Sequence, residues 1–328
     1  MSDLVHVAIH PSQFPEQVRL DLLASLRTRQ VNHKFHYDSI KQAQKWLELH
    51  QAYSPSRTDP DCAATYDRSF AAASSRIGSQ TVHLIGLGCG GGQKDCRLLR
   101  LLPDQGKTSF YTPSDVSTAL VLIARKAAIS LIPSKNCFPL VCDLSSADDL
   151  LPTLAGHAPR AVPRLITFFG MVPNFEPQAI LPKLAALVRP GDLLLLSANL
   201  APGPDYSAGL EHILPLYDNV LTRDWLMTFL LDLGVETGDG DLQFRVEEAP
   251  SGAGLKRVAA YFDFRRAREI RVGDDRFDFR SGESIRLFFS YRHTPALVSS
   301  LLSAQGLSVL DQWITKSGEE GIFLISSS

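Results

Sequence analysis

The spacing of apolar positions changes twice along the chain. Over residues 16–29, 39–50 and 60–75 they recur every three or four positions between polar breaks, which predicts amphipathic helices. From residue 81 short, nearly continuous apolar runs take over, at 82–87, 109–113, 139–142, 165–169 and 193–198. Helical stretches at 94–102, 117–130, 147–154 and 177–188 lie between them. Buried runs alternating with helices predict a parallel sheet covered on both faces, a doubly wound, Rossmann-like α/β domain.

Past residue 201 the alternation fails. A helix is expected at 223–233, stopped by Gly234. Strand-like stretches follow at 243–247, 257–264, 269–272 and 284–291, joined by turns such as Gly273-Asp274-Asp275 and Ser281-Gly282, a pattern of antiparallel hairpins. A helix at 295–305 and strands near 307–313 and 321–325 are expected to return to the main sheet. The expected layout is a helical lid over 1–80, a nucleoside-binding core over 81–200, an α+β substrate-side insertion or second domain over 201–280, and the return over 281–328.

Composition narrows the function. A chain of 328 residues is long enough for a large core with an insertion or for two domains around a cleft. A formal net charge of -2 without long Lys/Arg runs disfavours DNA or RNA as partner, leaving a small-molecule substrate. Neither a signal-like N-terminus nor a membrane-length apolar stretch is present, so a cytoplasmic protein is expected. The five cysteines form no CxxC pair and the histidines show no HxxxH or HExxH spacing, so no metal is assigned. Nothing in the sequence sets an oligomeric state.

The chemistry begins at the loop Gly86-Leu87-Gly88-Cys89-Gly90-Gly91-Gly92, between the first apolar run and a helix start that carries Lys94. Glycines there let the backbone turn and a ligand approach, and free amides at the helix start favour polar groups. Taken alone, the loop fits a dinucleotide, S-adenosylmethionine (SAM), or an unliganded turn. Asp115, at the end of the next strand, supplies a carboxylate for ribose hydroxyls, which NAD and SAM both require. Asp143, followed by Leu144, suits an adenine amino group beside an apolar contact, an arrangement typical of class I methyltransferases, and favours SAM over NAD.

Four blocks carry a family resemblance from residue 37 to 323. They are Phe35-His36-Tyr37-Asp38 with Ala52-Tyr53-Ser54-Pro55-Ser56-Arg57-Thr58; the glycine loop with Tyr111-Thr112-Pro113-Ser114-Asp115-Val116-Ser117; Phe168-Phe169-Gly170-Met171-Val172-Pro173-Asn174-Phe175; and Leu216-Tyr217-Asp218-Asn219 with Glu283-Ser284-Ile285-Arg286-Leu287-Phe288-Phe289-Ser290. Together they resemble the ergothioneine-pathway, histidine-specific SAM-dependent Nα-methyltransferases and their fungal relatives acting on tryptophan derivatives.

The resemblance implies SAM contacts from Tyr37, Gly86, Gly88, Gly90, Lys94, Asp115, Asp143 and Leu144. It also implies that Tyr53, Asn174 and Tyr217 hold the α-amino and α-carboxylate groups of an amino acid, with Phe288 and Ser290 at its side chain. Each residue also has a plainer use. Tyr53 and Tyr217 suit packing, Asn174 suits a helix cap, Lys94 a solvated helix face, and Asp115 and Asp143 caps of the helices that follow.

Two departures from the family pattern matter. Gly86 stands where an acid normally precedes the loop, which weakens the expected anchor for the cofactor's methionine end. Phe288 stands where the family's acid meets the imidazole of histidine. An aromatic ring cannot accept that N–H, so an amino acid with an aromatic or apolar side chain is favoured. The other readings are a SAM-dependent enzyme acting on oxygen, sulfur or another amine, an NAD-dependent oxidoreductase, and a non-catalytic SAM-binding protein.

Overall fold

The computed structural model describes residues 4–156, 162–250 and 254–328. Two compact units emerge, the first of residues 1–13, 55–200 and 294–328, the second of 14–54 and 201–293. Numbered along the whole chain, the strands of the first unit are β1 (Ala8–Ile9), β2 (Thr81–Leu87), β3 (Thr108–Asp115), β4 (Leu140–Val141), β5 (Arg164–Phe168), β6 (Leu193–Asn199), β12 (Leu307–Ile314) and β13 (Glu320–Ser327). Those of the second are β7 (Gly240–Glu248), β8 (Lys256–Phe264), β9 (Arg268–Val272), β10 (Asp275–Phe279) and β11 (Ser284–Arg292). The second unit's helices are α1 (Pro15–Thr28), α2 (Ile40–Tyr53), α9 (Tyr206–Tyr217) and α10 (Val220–Asp232). The first unit holds α3 (Pro55–Thr58), α4 (Pro60–Arg76), α5 (Gln93–Asp104), α6 (Thr118–Ala128), α7 (Leu150–Ala155), α8 (Pro177–Leu187) and α11 (Pro295–Ser303).

The first unit is built on one sheet, in the order β1-β4-β3-β2-β5-β6-β13-β12. Strands β1 to β6 pair in parallel, β13 runs antiparallel to β6, and β12 antiparallel to β13. Central strands are covered on both faces, with Val82, Leu84, Ile85, Leu165, Ile166, Leu194 and Leu195 all fully buried. That is why they read as continuous apolar runs rather than alternating ones. From β2 the chain winds outward through α5, β3, α6 and β4, then returns past β2 to β5 and β6. The loops after β2 and β5 therefore leave adjacent strands in opposite directions and open a crevice at their carboxyl ends. This is the doubly wound, Rossmann-like α/β architecture expected from the sequence.

The second unit packs α1, α2 and α10 with the antiparallel sheet β11-β8-β7 and the hairpin β9-β10. Its core includes Leu26, Trp225, Phe229, Phe262, Phe264 and Leu287. Helix α10 starts where Asn219 accepts the Thr222 N–H at 2.9 Å, a side-chain cap of the usual kind.

The structure draws several boundaries differently from the periodicity. The first eighty residues are shared, 14–54 lying in the second unit and 55–80 in the first. Strand β11 pairs with β8 in the second unit, so the return to the main sheet begins at residue 294 and not 281. The turn at Gly282 causes this, because its N–H donates to Phe264 O at 2.7 Å and folds the chain back onto β8. Helix α9 was not expected, since Pro202, Pro204, Gly209 and Pro215 mask its period. Asp205 nonetheless caps it through the Ala208 N–H at 2.9 Å, and Pro215 falls in the last turn. The short strands β1 and β10 also escaped the pattern. Among the described residues no helix is long and apolar enough to cross a membrane.

A buried ion pair locks the sheet's entry edge. Asp192, 3 % exposed, accepts the Arg164 backbone N–H at 2.9 Å and meets its guanidinium at 2.6 Å. Removing one partner strands a buried charge, so Asp192→Ala is expected to lower unfolding free energy by about 3–5 kcal/mol. Urea denaturation followed by circular dichroism checks this; a loss below about 1 kcal/mol would place the pair among screened surface bridges.

Candidate active site

In the first unit, Gly88, Gly90 and Gly92 take left-handed φ of 62°, 54° and 70° as the chain leaves β2 for α5. Gly88 is also a close-approach position. A Cβ there would fall 2.6 Å from Cγ of Met171, which follows β5, so the two loops meet across the crevice only because this residue has no side chain.

Asp115 ties the loop to β3. Its Oδ2 accepts the Gly90 N–H at 2.9 Å and its Oδ1 the Ser117 N–H at 3.0 Å. A carboxylate offers about four acceptor sites, so these amides, with that of Val116, still leave capacity for a further donor. Burial raises the group's pKa to about 6, against the opposing pull of the Ser117 and Gly90 amides. The cap of α6 is Ser117, which accepts the Leu120 N–H at 3.4 Å, so Asp115 is not itself that cap.

Asp143, 5 % exposed just past β4, accepts both the amide (2.9 Å) and hydroxyl (2.6 Å) of Ser145, while Leu144 is buried with Leu140, Cys142 and Ala147. Lys94 is no solvated helix residue. Its Nζ donates to Tyr66 Oη at 2.9 Å, sits 4.3 Å above the centre of that ring and lies 3.9 Å from Glu320 Oε1, to which Tyr66 also donates. Asn174 ends a short turn after β5, and its N–H donates to Met171 O at 2.9 Å. It does not cap α8, whose N-cap is Glu176.

The remaining sequence candidates lie in the second unit. Tyr217, at the end of α9, donates to Ser290 Oγ at 2.8 Å and accepts from Arg292 Nη2 at 2.9 Å. Its ring centre lies 6.4 Å from that of Phe288. A bulge at Leu287 shifts the β11–β8 register, and beyond it Phe288, Ser290 and Arg292 follow one another at strand period two beside Tyr217.

Phe288, 8 % exposed, also meets Trp225 at 5.7 Å and His33 at 5.5 Å, and Trp225 meets Tyr37 at 5.5 Å. Burial lowers the His33 pKa to about 3, so that ring is neutral at physiological pH. Tyr53 stands at the end of α2, 53 % exposed. The structure thus joins Tyr217, Phe288 and Ser290 directly, and connects Tyr37 to them through Trp225.

Sequence reading missed Arg292, Trp225, His33, Tyr66 and Glu320. Arg292 was accessible, since it continues the alternation of Phe288 and Ser290. The others arrive from elements distant in sequence and leave no local signal.

A family model described as histidine-specific methyltransferase, SAM-dependent, matches residues 18–327. A histidine N-alpha-methyltransferase of Mycobacterium tuberculosis is 28% identical over 250 residues, covering 74% of each chain. The N-methyltransferase imqF of Aspergillus flavus is 23% identical over 273 residues, covering 82% of this chain and 73% of its own. Among solved structures, magnesium protoporphyrin IX methyltransferase from Synechocystis, with bound S-adenosylhomocysteine, aligns with a TM-score of 0.46 at 14% identity, over 90% of this chain and 98% of that one.

Asp115 gives the first unit a pH signature. A carboxylate raised from 3.8 to about 6 stabilises the fold fully below the lower value, and that contribution is lost as pH rises through the upper one. Asp95, raised likewise to about 6, contributes in the same window. In the absence of cofactor, Asp115→Asn is expected to flatten, without abolishing, the fall in melting temperature between pH 4 and pH 6, roughly the window these two groups set. Parallel melting curves for the parent and the variant would contradict the assignment.

Proposed function

The chain belongs to the histidine-specific, SAM-dependent methyltransferase family, and from that premise we propose that it methylates the α-amino group of an amino acid whose side chain is aromatic or apolar. SAM supplies an electrophilic methyl group on a sulfonium. The first unit offers it a glycine loop with left-handed turns, a buried carboxylate at Asp115 with a remaining acceptor site, and a second carboxylate at Asp143 beside apolar Leu144. These features suit a nucleoside carrying a charged tail. The NAD alternative loses its footing with the family assignment.

The observation that carries the substrate reading is Phe288. Its ring shares a strand face with Ser290 and packs with Tyr217, Trp225 and His33, so the position held by an acid in the resemblance is apolar and aromatic here. Histidine would leave an imidazole N–H without its acceptor, a loss on the order of 1–3 kcal/mol. A flat apolar side chain loses nothing and gains ring contacts.

In this reading Tyr53 and Tyr217 of the second unit hold the amino acid's zwitterionic end. The donor chain from Arg292 through Tyr217 to Ser290 fixes the phenol's orientation. The rate gain then comes from aiming a neutral amine along the line of the breaking sulfur–carbon bond, its proton having been lost beforehand.

Incubation with SAM and each proteinogenic amino acid, read by mass spectrometry, is expected to show gains of whole methyl units on aromatic or apolar amino acids ahead of histidine. Trimethylhistidine as the dominant product would overturn the substrate reading. Phe288→Glu should move the histidine preference upward by about tenfold in kcat/KM, the equivalent of one recovered charged hydrogen bond. Tyr217→Phe, which cuts the Arg292–Ser290 chain, is expected to lower kcat/KM for the preferred substrate about 5- to 30-fold. Unchanged steady-state kinetics would remove Tyr217 from the site.

A further inference from the structure

Gly86 closes β2 just before the loop, and its backbone is not in the left-handed region. It is a glycine for want of space. A Cβ on this residue would lie 2.1 Å from Oδ2 of Asp95 and 3.1 Å from its carboxyl carbon. Asp95, in the first turn of α5 and 3 % exposed, reaches down over the central strand. Its Oδ2 accepts the Tyr111 hydroxyl of β3 at 2.7 Å, and its Oδ1 accepts the Thr167 hydroxyl of β5 at 2.7 Å. These strands flank β2 on its two sides. One carboxylate therefore ties the helix start to the strands on either side of β2 and occupies the space over Gly86 between them.

Position 86 is also where an acid is expected ahead of such a loop. The charge has not been lost; it enters the same volume from the helix side. A buried carboxylate survives only when it is hydrogen-bonded, and two hydroxyl donors together with the positive end of α5 meet that requirement. We propose that Asp95 is a relocated loop acid, a positioning residue that holds the segment from Gly86 to Gly92 in its SAM-binding form. Positions 86 and 95 then form an exclusive pair, of which only one can place a carboxylate in that volume.

The test uses cofactor binding and no acceptor amino acid, so its failure is distinct from failure of the substrate reading. S-adenosylhomocysteine affinity is measured by calorimetry for the parent chain, Asp95→Ala, Gly86→Asp and the double variant, each at a temperature where circular dichroism shows it folded. Asp95→Ala is expected to weaken binding about tenfold or more, and Gly86→Asp at least as much because two carboxylates would compete for one volume. The double variant, with its carboxylate delivered from β2 among the same two hydroxyls, should recover to within about threefold of the parent. Parental affinity in Asp95→Ala, or a double variant no tighter than Asp95→Ala, would overturn the proposal. Should the alanine variant not fold, Asp95→Asn keeps the shape and removes the charge. A lowered melting temperature with unchanged affinity would then reduce Asp95 to a purely structural brace, whereas weakened affinity in the folded variant supports the proposal.

Discussion

The first unit depends on the reversal of winding at β2. Because successive crossovers move outward to β4 and then return to β5, two loops must part above adjacent strands and leave a crevice at their carboxyl ends. What holds the gap open is a set of polar brackets. Asp115 grips the Gly90 amide from β3, and Asp95 grips hydroxyls on β3 and β5. Met171 fills the space that Gly88 leaves. Each bracket crosses from one strand's loop to another strand, so the crevice is a property of the parallel sheet and not of any one loop.

Those brackets carry an electrostatic cost that is consistent with function. Two carboxylates buried within one loop region have their pKa values raised by desolvation toward neutrality. A ligand bringing hydroxyl donors or a cationic group relieves part of that penalty, because both favour the ionised forms. The Tyr66–Glu320 pair beneath Lys94 adds a third buried acid near the start of α5, partly compensated by the ammonium. A methyl donor with a positively charged sulfonium and ammonium is the kind of ligand such surroundings stabilise.

Much of the fold was legible because its determinants are local. The central strands are buried on both faces and the helices between them keep a clean period, so β2 to β6 and α4 to α8 were readable from apolar spacing. The chain after residue 200 was harder. Helix α9 owes its start to one capping aspartate and runs through glycine and proline, and β11 changes partner because of a single turn at Gly282. Among the candidate residues, those carried by dense motifs (Asp115, Asp143, Tyr217, Ser290) were nameable from the sequence, while Tyr66, Glu320 and Trp225 depend on tertiary approach. Arg292 lay between the two classes, since strand alternation from Phe288 already pointed to it.

The fate of the two acids that differ from the family pattern separates cofactor chemistry from substrate chemistry. At the loop an acid disappears from position 86 but a carboxylate remains in its volume, supplied by Asp95, so the local charge is conserved while its covalent origin changes. At β11 Phe288 stands in the acid's place, and the rings it meets are Trp225, Tyr217 and a histidine whose pKa is lowered to about 3, so these ring neighbours are uncharged. Under the proposed function, a carboxylate present at the loop and an aromatic ring at Phe288 are the combination expected of a SAM-dependent enzyme whose substrate side chain is aromatic or apolar. Matched hydroxyl donors on both flanking strands, Tyr111 and Thr167, are what let the first site keep a buried carboxylate.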